Sequence, residues 1–150
     1  MATYRPNVAA ILMDATGKIL VAERIDFKGS WQFPQGGVDK GEDLIGALRR
    51  EVEEELGLKP WLYQLVACRT GYRYKFPNGK VKKRLYCGQV QTYFLCRYLG
   101  TDADIVLDSH KQEFISVKWI EPKDFSLKWV PAFKRRVFLK VFLDFFRVRL

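Results

Sequence analysis

Residues 36–58 read GGVDKGEDLIGALRREVEEELGL, a pair of glycines followed by an acidic segment that ends at Gly57. The spacing of the apolar residues predicts an amphipathic helix over about Asp43 to Leu56, because glycine commonly ends a helix and the apolar positions recur on one side. The predicted apolar arc, which we expect to face the core, consists of Leu44, Ile45, Leu48, Val52 and Leu56.

Three carboxylates lie on the neighbouring arc of this helix. Glu51, Glu54 and Glu55 are spaced three and four residues apart, so their side chains share one stripe. Their mutual repulsion destabilises the helix unless a cation neutralises it, and carboxylate oxygens suit Mg²⁺, Mn²⁺ or Ca²⁺ better than Zn²⁺. The alternative explanation is an ordinary charged amphipathic helix. Glu53 falls on the far side with Arg49, where we expect it to be solvated.

The flanking residues distinguish these two explanations. Counted from Gly36, the stretch fills every fixed place of the pattern Gly-x5-Glu-x7-Arg-Glu-U-x-Glu-Glu-x-Gly-U, in which U is an aliphatic residue. Those places hold Gly36, Glu42, Arg50, Glu51, Val52, Glu54, Glu55, Gly57 and Leu58. The stretch therefore resembles the Nudix box, the signature of metal-dependent hydrolases that act on nucleoside diphosphates linked to another group.

The composition predicts one globular domain over residues 1–150 with excess positive charge. Lys and Arg number 26 against 17 Asp and Glu, and the net charge of +9 favours a polyanionic partner such as a nucleotide or nucleic acid. Cys68, Cys87 and Cys96, in a chain that starts without a signal-peptide pattern, predict reduced thiols and a cytoplasmic protein. No apolar run approaches the ~20 residues of a membrane span, so no membrane partner is predicted. No obligate protein partner is predicted either. His110, in a polar loop, is predicted to be a surface residue.

Strands are predicted on both sides of the acidic helix. Apolar or alternating runs predict them at Val8 to Met13, Lys18 to Glu23, Trp61 to Tyr74, Gln89 to Tyr98 and Phe114 to Ile120. A second helix is predicted from about Pro131, and its apolar stripe should pack on the sheet. That stripe consists of Phe133, Val137, Phe138, Val141, Phe142 and Phe145. The order predicts an α/β fold with a mixed sheet between helices, and the resemblance implies the same α/β/α sandwich, the Nudix fold.

The resemblance extends over about residues 4 to 138, to the branch that contains bacterial RNA pyrophosphohydrolases and plant-type diadenosine tetraphosphate hydrolases. The matching segments are Tyr4-Arg-Pro-Asn-Val8, Ser30-Trp-Gln-Phe-Pro-Gln-Gly-Gly37, Tyr74-Lys-Phe-Pro77, Gly88-Gln-Val-Gln91, Glu113-Phe114 and Phe133-Lys134. Two departures bear on nucleobase preference. Tyr93 stands where members of the family often carry Trp, and the loop Asn78 to Arg84 is particular to this chain.

The resemblance implies a role for each matching residue. Glu51, Glu54 and Glu55 would hold Mg²⁺ or Mn²⁺, together with a backbone carbonyl of Gly36 or Gly37. Glu113 matches an additional metal-binding or catalytic glutamate, and Glu54, Glu55 or Glu113 would deprotonate the attacking water. Glu42 and Arg50 would support the box. Contacts to substrate are implied for Arg5, Arg24, Gln35, Tyr74, Lys75, Gln89, Gln91, Phe133 and Lys134.

Four of these assignments have simpler explanations. Arg5, near the start of the chain, can be an ordinary surface charge, while Tyr74 and Phe133 can be core aromatics. Lys75 points opposite Tyr74 on a regular strand, so both reach substrate only if the chain bends near Pro77.

The leading functional hypothesis is a metal-dependent pyrophosphohydrolase that removes pyrophosphate from the triphosphorylated 5′ end of RNA and leaves a 5′-monophosphate. The alternative enzyme cleaves diadenosine tetraphosphate asymmetrically to ATP and AMP. A non-catalytic RNA- or nucleotide-binding module is a third hypothesis, which the complete set of box glutamates disfavours. The basic loop Lys80 to Arg84 favours RNA, because an extended strand has further phosphates to contact.

Overall fold

The computed structural model describes residues 3–77 and 86–150 of the chain, and within them lie seven strands and two α-helices. The strands are Tyr4–Met13 (β1), Ile19–Arg24 (β2), Trp31–Gln32 (β3), Gln35–Gly37 (β4), Tyr63–Lys75 (β5), Gly88–Tyr98 (β6) and Phe114–Ile120 (β7). The helices are Leu44–Leu56 (α1) and Ala132–Phe146 (α2). No helix in the described part of the chain is long and apolar enough to cross a membrane.

The sheet is mixed, with β1 near its centre. Its strand order is β3-β2-β1-β6-β5, while β4 pairs with β1 and β7 pairs with β2. β1 runs parallel to β6 along its whole length and antiparallel to β4, and β5 runs antiparallel to β6. The register on β4 places Gly36 opposite Val8 and Gly37 opposite Asn7. The segment that carries Gly36 and Gly37, called the glycine loop below, is therefore anchored to the central strand of the sheet.

Side chains of β1 alternate between two hydrophobic cores. Val8, Ala10 and Leu12 join the core that contains α1, whereas Ala9 and Ile11 join the core that contains α2. All five are buried, and burying a side chain as large as leucine contributes about 1.5–3 kcal/mol to folding. A helix thus covers each face of the sheet, and the predicted α/β/α sandwich with a mixed sheet is confirmed.

The predicted bounds of α1 are confirmed, but its predicted apolar arc is wrong in the first turn. The Asp43 carboxylate caps the helix by accepting a 2.7 Å hydrogen bond from Gly46 N–H. Leu44 and Ile45 are 39% and 43% exposed, because the helix meets the sheet only in its later turns. The buried residues are Ala47, Leu48, Val52, Glu55 and Leu56.

Helix α2 packs on the other face of the sheet, as predicted. Its Val137, Phe138, Val141 and Phe142 are buried, and Phe142 lies within 6.0 Å of Phe33, measured between ring centroids. The two outer members of the predicted stripe, Phe133 and Phe145, are half-buried. The predicted basic loop Lys80 to Arg84 lies outside the described residues.

Candidate active site

The glycine loop lies directly against helix α1. The backbone N–H of Gln35 donates a 3.3 Å hydrogen bond to Glu55 Oε2. A Cβ atom added to Gly36 would overlap the carboxylate of Glu51, and one added to Gly37 would overlap the guanidinium of Arg5. The two glycines therefore let two charged side chains reach the backbone of β4.

Glu51 and Glu55 form a buried carboxylate pair. Glu55 is 7% exposed, and the side chain of Glu51 is 14% exposed. Burial, together with the charge of Glu51, raises the pKa of Glu55 far above its ordinary value, and burial also raises the pKa of Glu51. Glu54, whose side chain is 43% exposed, stands at the rim.

Arg50 connects the acidic residues of the helix to the glycine loop. Its Nε and Nη2 donate to the two oxygens of Glu42 at 2.7 and 2.8 Å, a bidentate pair. Its Nη1 donates to Glu51 Oε1 at 2.8 Å and lies 3.5 Å from Glu54 Oε2. Its Nη2 also donates to the Gly37 carbonyl at 2.9 Å. Arg50 therefore orients two of the predicted metal-binding glutamates.

Glu42 anchors this arginine. The hydrogen bonds from Arg50, with one from the backbone N–H of Asp39, lower the pKa of Glu42 to about 2. The same contact with Glu42 raises the pKa of Arg50, so the ion pair stays charged throughout the physiological range. The support role predicted for both side chains stays a prediction.

A polar pocket of about 330 Å³ opens beside the carboxylate pair. Its acidic wall comes from Glu51, Glu55 and Glu113, and its basic wall comes from Arg24 and Lys134. The other lining residues are Gln32, Gln35, Gly36, Gln89 and Phe114. This pocket brings together eight of the predicted site residues from distant parts of the chain: Arg24, Gln35, Gly36, Glu51, Glu55, Gln89, Glu113 and Lys134.

A chain of hydrogen bonds runs from the pocket into the core. Asn7 Nδ2 donates to Gln35 Oε1 at 2.8 Å, and Gln91 Nε2 donates to Asn7 Oδ1 at 2.9 Å. The hydroxyl of Tyr93 donates to Gln91 Oε1 at 3.1 Å and ends the chain. Gln91 is 4% exposed and does not bond Gln35 directly in this chain of bonds. It holds Asn7, which in turn holds Gln35. Sequence reasoning missed the linking role of Asn7, although Asn7 belongs to one of the matching segments.

Four other predicted substrate-binding residues lie outside the lining of this pocket. Tyr74 is buried, with Phe133 packed on its ring at a centroid distance of 5.6 Å. Arg5 lies against Gly37, and Lys75 is exposed on the opposite face of β5 from Tyr74. Lys134 lines the pocket and also contacts Tyr74, because its Nζ lies 5.4 Å from the centroid of the Tyr74 ring. Their predicted contacts with substrate stay predictions.

A family model of the NUDIX domain matches residues 3–141. The chain belongs to the Nudix family. This Nudix chain is 41% identical over 149 residues to an RNA pyrophosphohydrolase of Novosphingobium aromaticivorans, covering 95% of this chain and 92% of the relative. It is 43% identical over 149 residues to an RNA pyrophosphohydrolase of Helicobacter pylori strain G27, covering 96% and 94%. A solved Ap4A hydrolase of C. elegans superposes with a TM-score of 0.64 at 21% identity, covering 95% of this chain and 99% of that one.

Nudix hydrolases act with divalent metal ions, and the residues of this site fit such an ion. Two adjacent carboxylates whose charges repel, and a glycine that leaves room beside them, form a donor set for a hard cation. Among the described residues, no three His, Cys, Asp or Glu side chains converge as a metal cluster. Arg50 Nη1 contacts both Glu51 Oε1, at 2.8 Å, and Glu54 Oε2, at 3.5 Å.

A second cavity of about 340 Å³ borders the same Nudix glutamates. It is lined by Glu51, Glu54, Glu55, His110, Lys111 and Glu113. His110 is exposed, as predicted, but sequence reasoning missed its position beside the box. Gln32 and Phe114, in the first pocket, were missed as well, although each lies in a matching segment. Nothing in the sequence near His110 and Lys111 indicates their position.

Proposed function

We propose that this chain is a Nudix RNA pyrophosphohydrolase, which removes pyrophosphate from 5′-triphosphorylated RNA and leaves a 5′-monophosphate. The observation that carries the proposal is the pocket that Glu51, Glu55 and Glu113 line together with Arg24 and Lys134. Phosphoanhydride hydrolysis needs both an acidic metal-binding wall and a cationic wall for phosphate oxygens. The extensive identity to relatives named RNA pyrophosphohydrolase supports RNA as the substrate.

We assign different roles to the residues of the pocket. Glu51, Glu54 and Glu55, with a carbonyl oxygen of Gly36 or Gly37, would hold Mg²⁺ or Mn²⁺. When bound, the ion neutralises phosphate charge and lowers the pKa of water. Arg24 and Lys134, which line the same pocket, bind phosphate oxygens. Glu54, Glu55 or Glu113 accepts the proton of the attacking water.

The remaining predicted residues act around this centre. Glu42 and Arg50 position the box, Gln35 and Gln89 face the substrate, and Gln91 holds Gln35 through Asn7. Arg5, Tyr74, Lys75 and Phe133, which do not line the pocket, contact other parts of the substrate. We place the reaction in the cytoplasm, where the three unpaired cysteines stay reduced, and propose no obligate protein partner.

The first test is direct hydrolysis. The chain, incubated with Mg²⁺ or Mn²⁺ and 5′-triphosphorylated RNA, is expected to release pyrophosphate and leave 5′-monophosphorylated RNA. Specificity constants for RNA and diadenosine tetraphosphate are measured side by side. The proposal requires RNA to be the better substrate, and a higher specificity constant for diadenosine tetraphosphate would contradict it.

We predict that Glu54→Gln lowers turnover by about 10²-fold or more, because it removes a charged metal-binding oxygen. The matched control is Glu53→Gln, since Glu53 points away from the site and pairs with Lys59 at 2.8 Å. Circular dichroism checks that both variants keep the fold. Turnover of Glu54→Gln at the level of the control would refute the metal assignment.

A further inference from the structure

The second cavity shares three carboxylates with the first pocket. Glu51, Glu55 and Glu113 line both spaces, so the candidate metal site borders each of them. The volume of the second cavity, about 340 Å³, lies within the range of about 300–1,000 Å³ that is typical of ligand sites. A chain of phosphates that crosses the metal site can therefore occupy both spaces, with one end in each.

The two spaces differ in the chemistry of their linings. Besides charged residues, the first pocket has amide and aromatic side chains, which suit the sugar and base of a nucleotide: Gln32, Gln35, Gln89 and Phe114. Every residue that lines the second cavity is ionisable: Glu51, Glu54, Glu55, His110, Lys111 and Glu113. Such a lining suits a metal-bound inorganic anion better than a nucleotide, because its side chains offer charges and hydrogen bonds in place of apolar surface.

Lys111 brings an unpaired positive charge to the second cavity. It is exposed, and it lines the cavity beside four glutamates. Within residues 3–77 and 86–150, Lys111 forms an ion pair with none of them and with no other carboxylate. Glu51 and Glu54 pair with Arg50 instead. The ammonium group of Lys111 is therefore available to an anion that the metal site holds.

His110 adds a hydrogen-bonding group next to Lys111. Its Nδ1 lies 3.3 Å from Ser109 Oγ, and in the described part of the chain no hydrogen bond reaches its Nε2. When Nδ1 accepts from Ser109, Nε2 carries the hydrogen and can donate to a phosphate oxygen. The segment ends at Glu113, whose carbonyl accepts from Ile25 N–H at 2.9 Å. This bond ties the segment to the chain that follows β2, beside the metal site.

We propose that Lys111 and His110 bind the terminal phosphate of the triphosphate and so hold the leaving pyrophosphate in the second cavity. In the reaction, the oxygen of water bonds to the phosphorus that stays on the RNA, and the bond from that phosphorus to its bridging oxygen breaks. The bridging oxygen leaves with the electron pair as part of pyrophosphate, while the proton of the water passes to a carboxylate. Positive charge beside the leaving group stabilises the negative charge that it gains. This inference rests on the proposed function, because it assigns the two ends of that substrate to the two spaces.

The test compares two RNAs that differ only in their terminal phosphate. For Lys111→Ala/His110→Ala, kcat/KM is expected to fall about tenfold or more on 5′-triphosphorylated RNA. On 5′-diphosphorylated RNA of the same sequence, which lacks the phosphate that the pair contacts, the loss should be below about threefold. The matched control is Lys123→Ala/Lys140→Ala, whose two exposed lysines line neither space and whose loss should be equally small on both RNAs. Lys111→Arg should retain most of the activity on triphosphorylated RNA, because it keeps the charge.

Binding of pyrophosphate gives a readout that does not depend on turnover. In calorimetry with Mg²⁺ present, Lys111→Ala/His110→Ala should weaken the affinity for inorganic pyrophosphate about tenfold and change the affinity for Mg²⁺ alone by less than about twofold. Hydrolysis of triphosphorylated RNA by the unaltered chain, with equal losses of the double variant on the two RNAs, would overturn the role of the second cavity alone. Unchanged pyrophosphate affinity, or an equal loss of affinity for Mg²⁺ alone, would do the same. Failure of the unaltered chain to hydrolyse triphosphorylated RNA would overturn the proposed function and this inference together.

Discussion

At the scale of single residues, Gly36 has no Cβ atom, and this leaves room for the carboxylate of Glu51. We predict that Gly36→Ala displaces Glu51, raises the Mg²⁺ concentration needed for half-maximal rate about tenfold or more, and barely changes stability. The overlap is with the end of a side chain, which can move, but the moved carboxylate no longer faces the metal site. Titration of the rate with Mg²⁺ measures this effect.

Gly37→Ala is the matched control for that prediction. The added methyl group there meets Arg5 rather than a carboxylate. It should therefore change the KM for RNA and raise the Mg²⁺ requirement less than Gly36→Ala does. An identical Mg²⁺ requirement in both variants would show that the space beside Gly36 is not needed for metal binding.

The ion pair of Glu42 predicts a pH dependence of stability. The pKa of Glu42 is lowered from 4.5 to about 2 by Arg50 and by the N–H of Asp39. A lowered folded-state pKa contributes stability that is present above about pH 4.5 and is lost as the pH falls toward 2. Glu42→Gln should thus lower the urea midpoint at pH 6, and its difference from the unaltered chain should shrink between pH 4.5 and 2.

Glu121→Gln serves as the control in these urea titrations. Glu121 is exposed and forms no ion pair within the described part of the chain. Its urea midpoint should follow that of the unaltered chain at each pH. A difference between Glu42→Gln and the unaltered chain that stays constant down to pH 2.5 would be incompatible with the assigned ion pair.

At the scale of the elements, the C-terminus of α1 depends on Gly57. Gly57 has φ 68°, and a Cβ there would lie 2.9 Å from both the Cβ and the carbonyl oxygen of Val106. We predict that Gly57→Ala destabilises the chain by more than the roughly 1–2 kcal/mol that a left-handed alanine costs by itself. Gly41→Ala supplies that reference, since Gly41 has φ 86° and nothing lies within 4 Å of an added Cβ. Equal urea midpoints for the two variants would contradict the packing contribution.

Local sequence patterns predicted the bounds of α1 and the start of α2, because caps and apolar periodicity act within a few residues. They failed at Leu44 and Ile45, since periodicity gives the face of a helix but not the turn at which the sheet begins to cover it. The position of His110 beside the box was likewise missed, because it depends on how distant loops meet.

The site shows the same division between local and distant information. The spacing of Glu51, Glu54 and Glu55 could be predicted because all three lie on one helix. The basic wall was accessible only through resemblance, since Arg24 and Lys134 come from opposite ends of the chain and meet through the sheet topology.

At the scale of the whole molecule, the charge is distributed unequally. The chain carries a net charge of +9, yet its candidate metal site is acidic, so the surplus of positive charge lies elsewhere. We predict that kcat/KM for a dozen-nucleotide RNA falls more steeply with KCl than kcat/KM for diadenosine tetraphosphate. Three additional phosphate contacts would steepen the logarithmic slope by about 2, at about 0.7 per contact. Rates measured from 50 to 200 mM KCl at constant Mg²⁺ test this, and parallel lines would argue against an extended RNA contact.

The attachment of β4 to β1 affects how readily this part of the molecule unfolds locally. The Pro34 carbonyl accepts from Ala10 N–H at 2.9 Å, and Val38 N–H donates to the Pro6 carbonyl at 3.1 Å, so both ends of the glycine segment are tied to the strand that also pairs with β6 throughout. Hydrogen–deuterium exchange at the bonded amides of this segment should then follow global unfolding rather than a local fluctuation. We infer that the backbone of Gln35–Gly37 is ordered before substrate arrives.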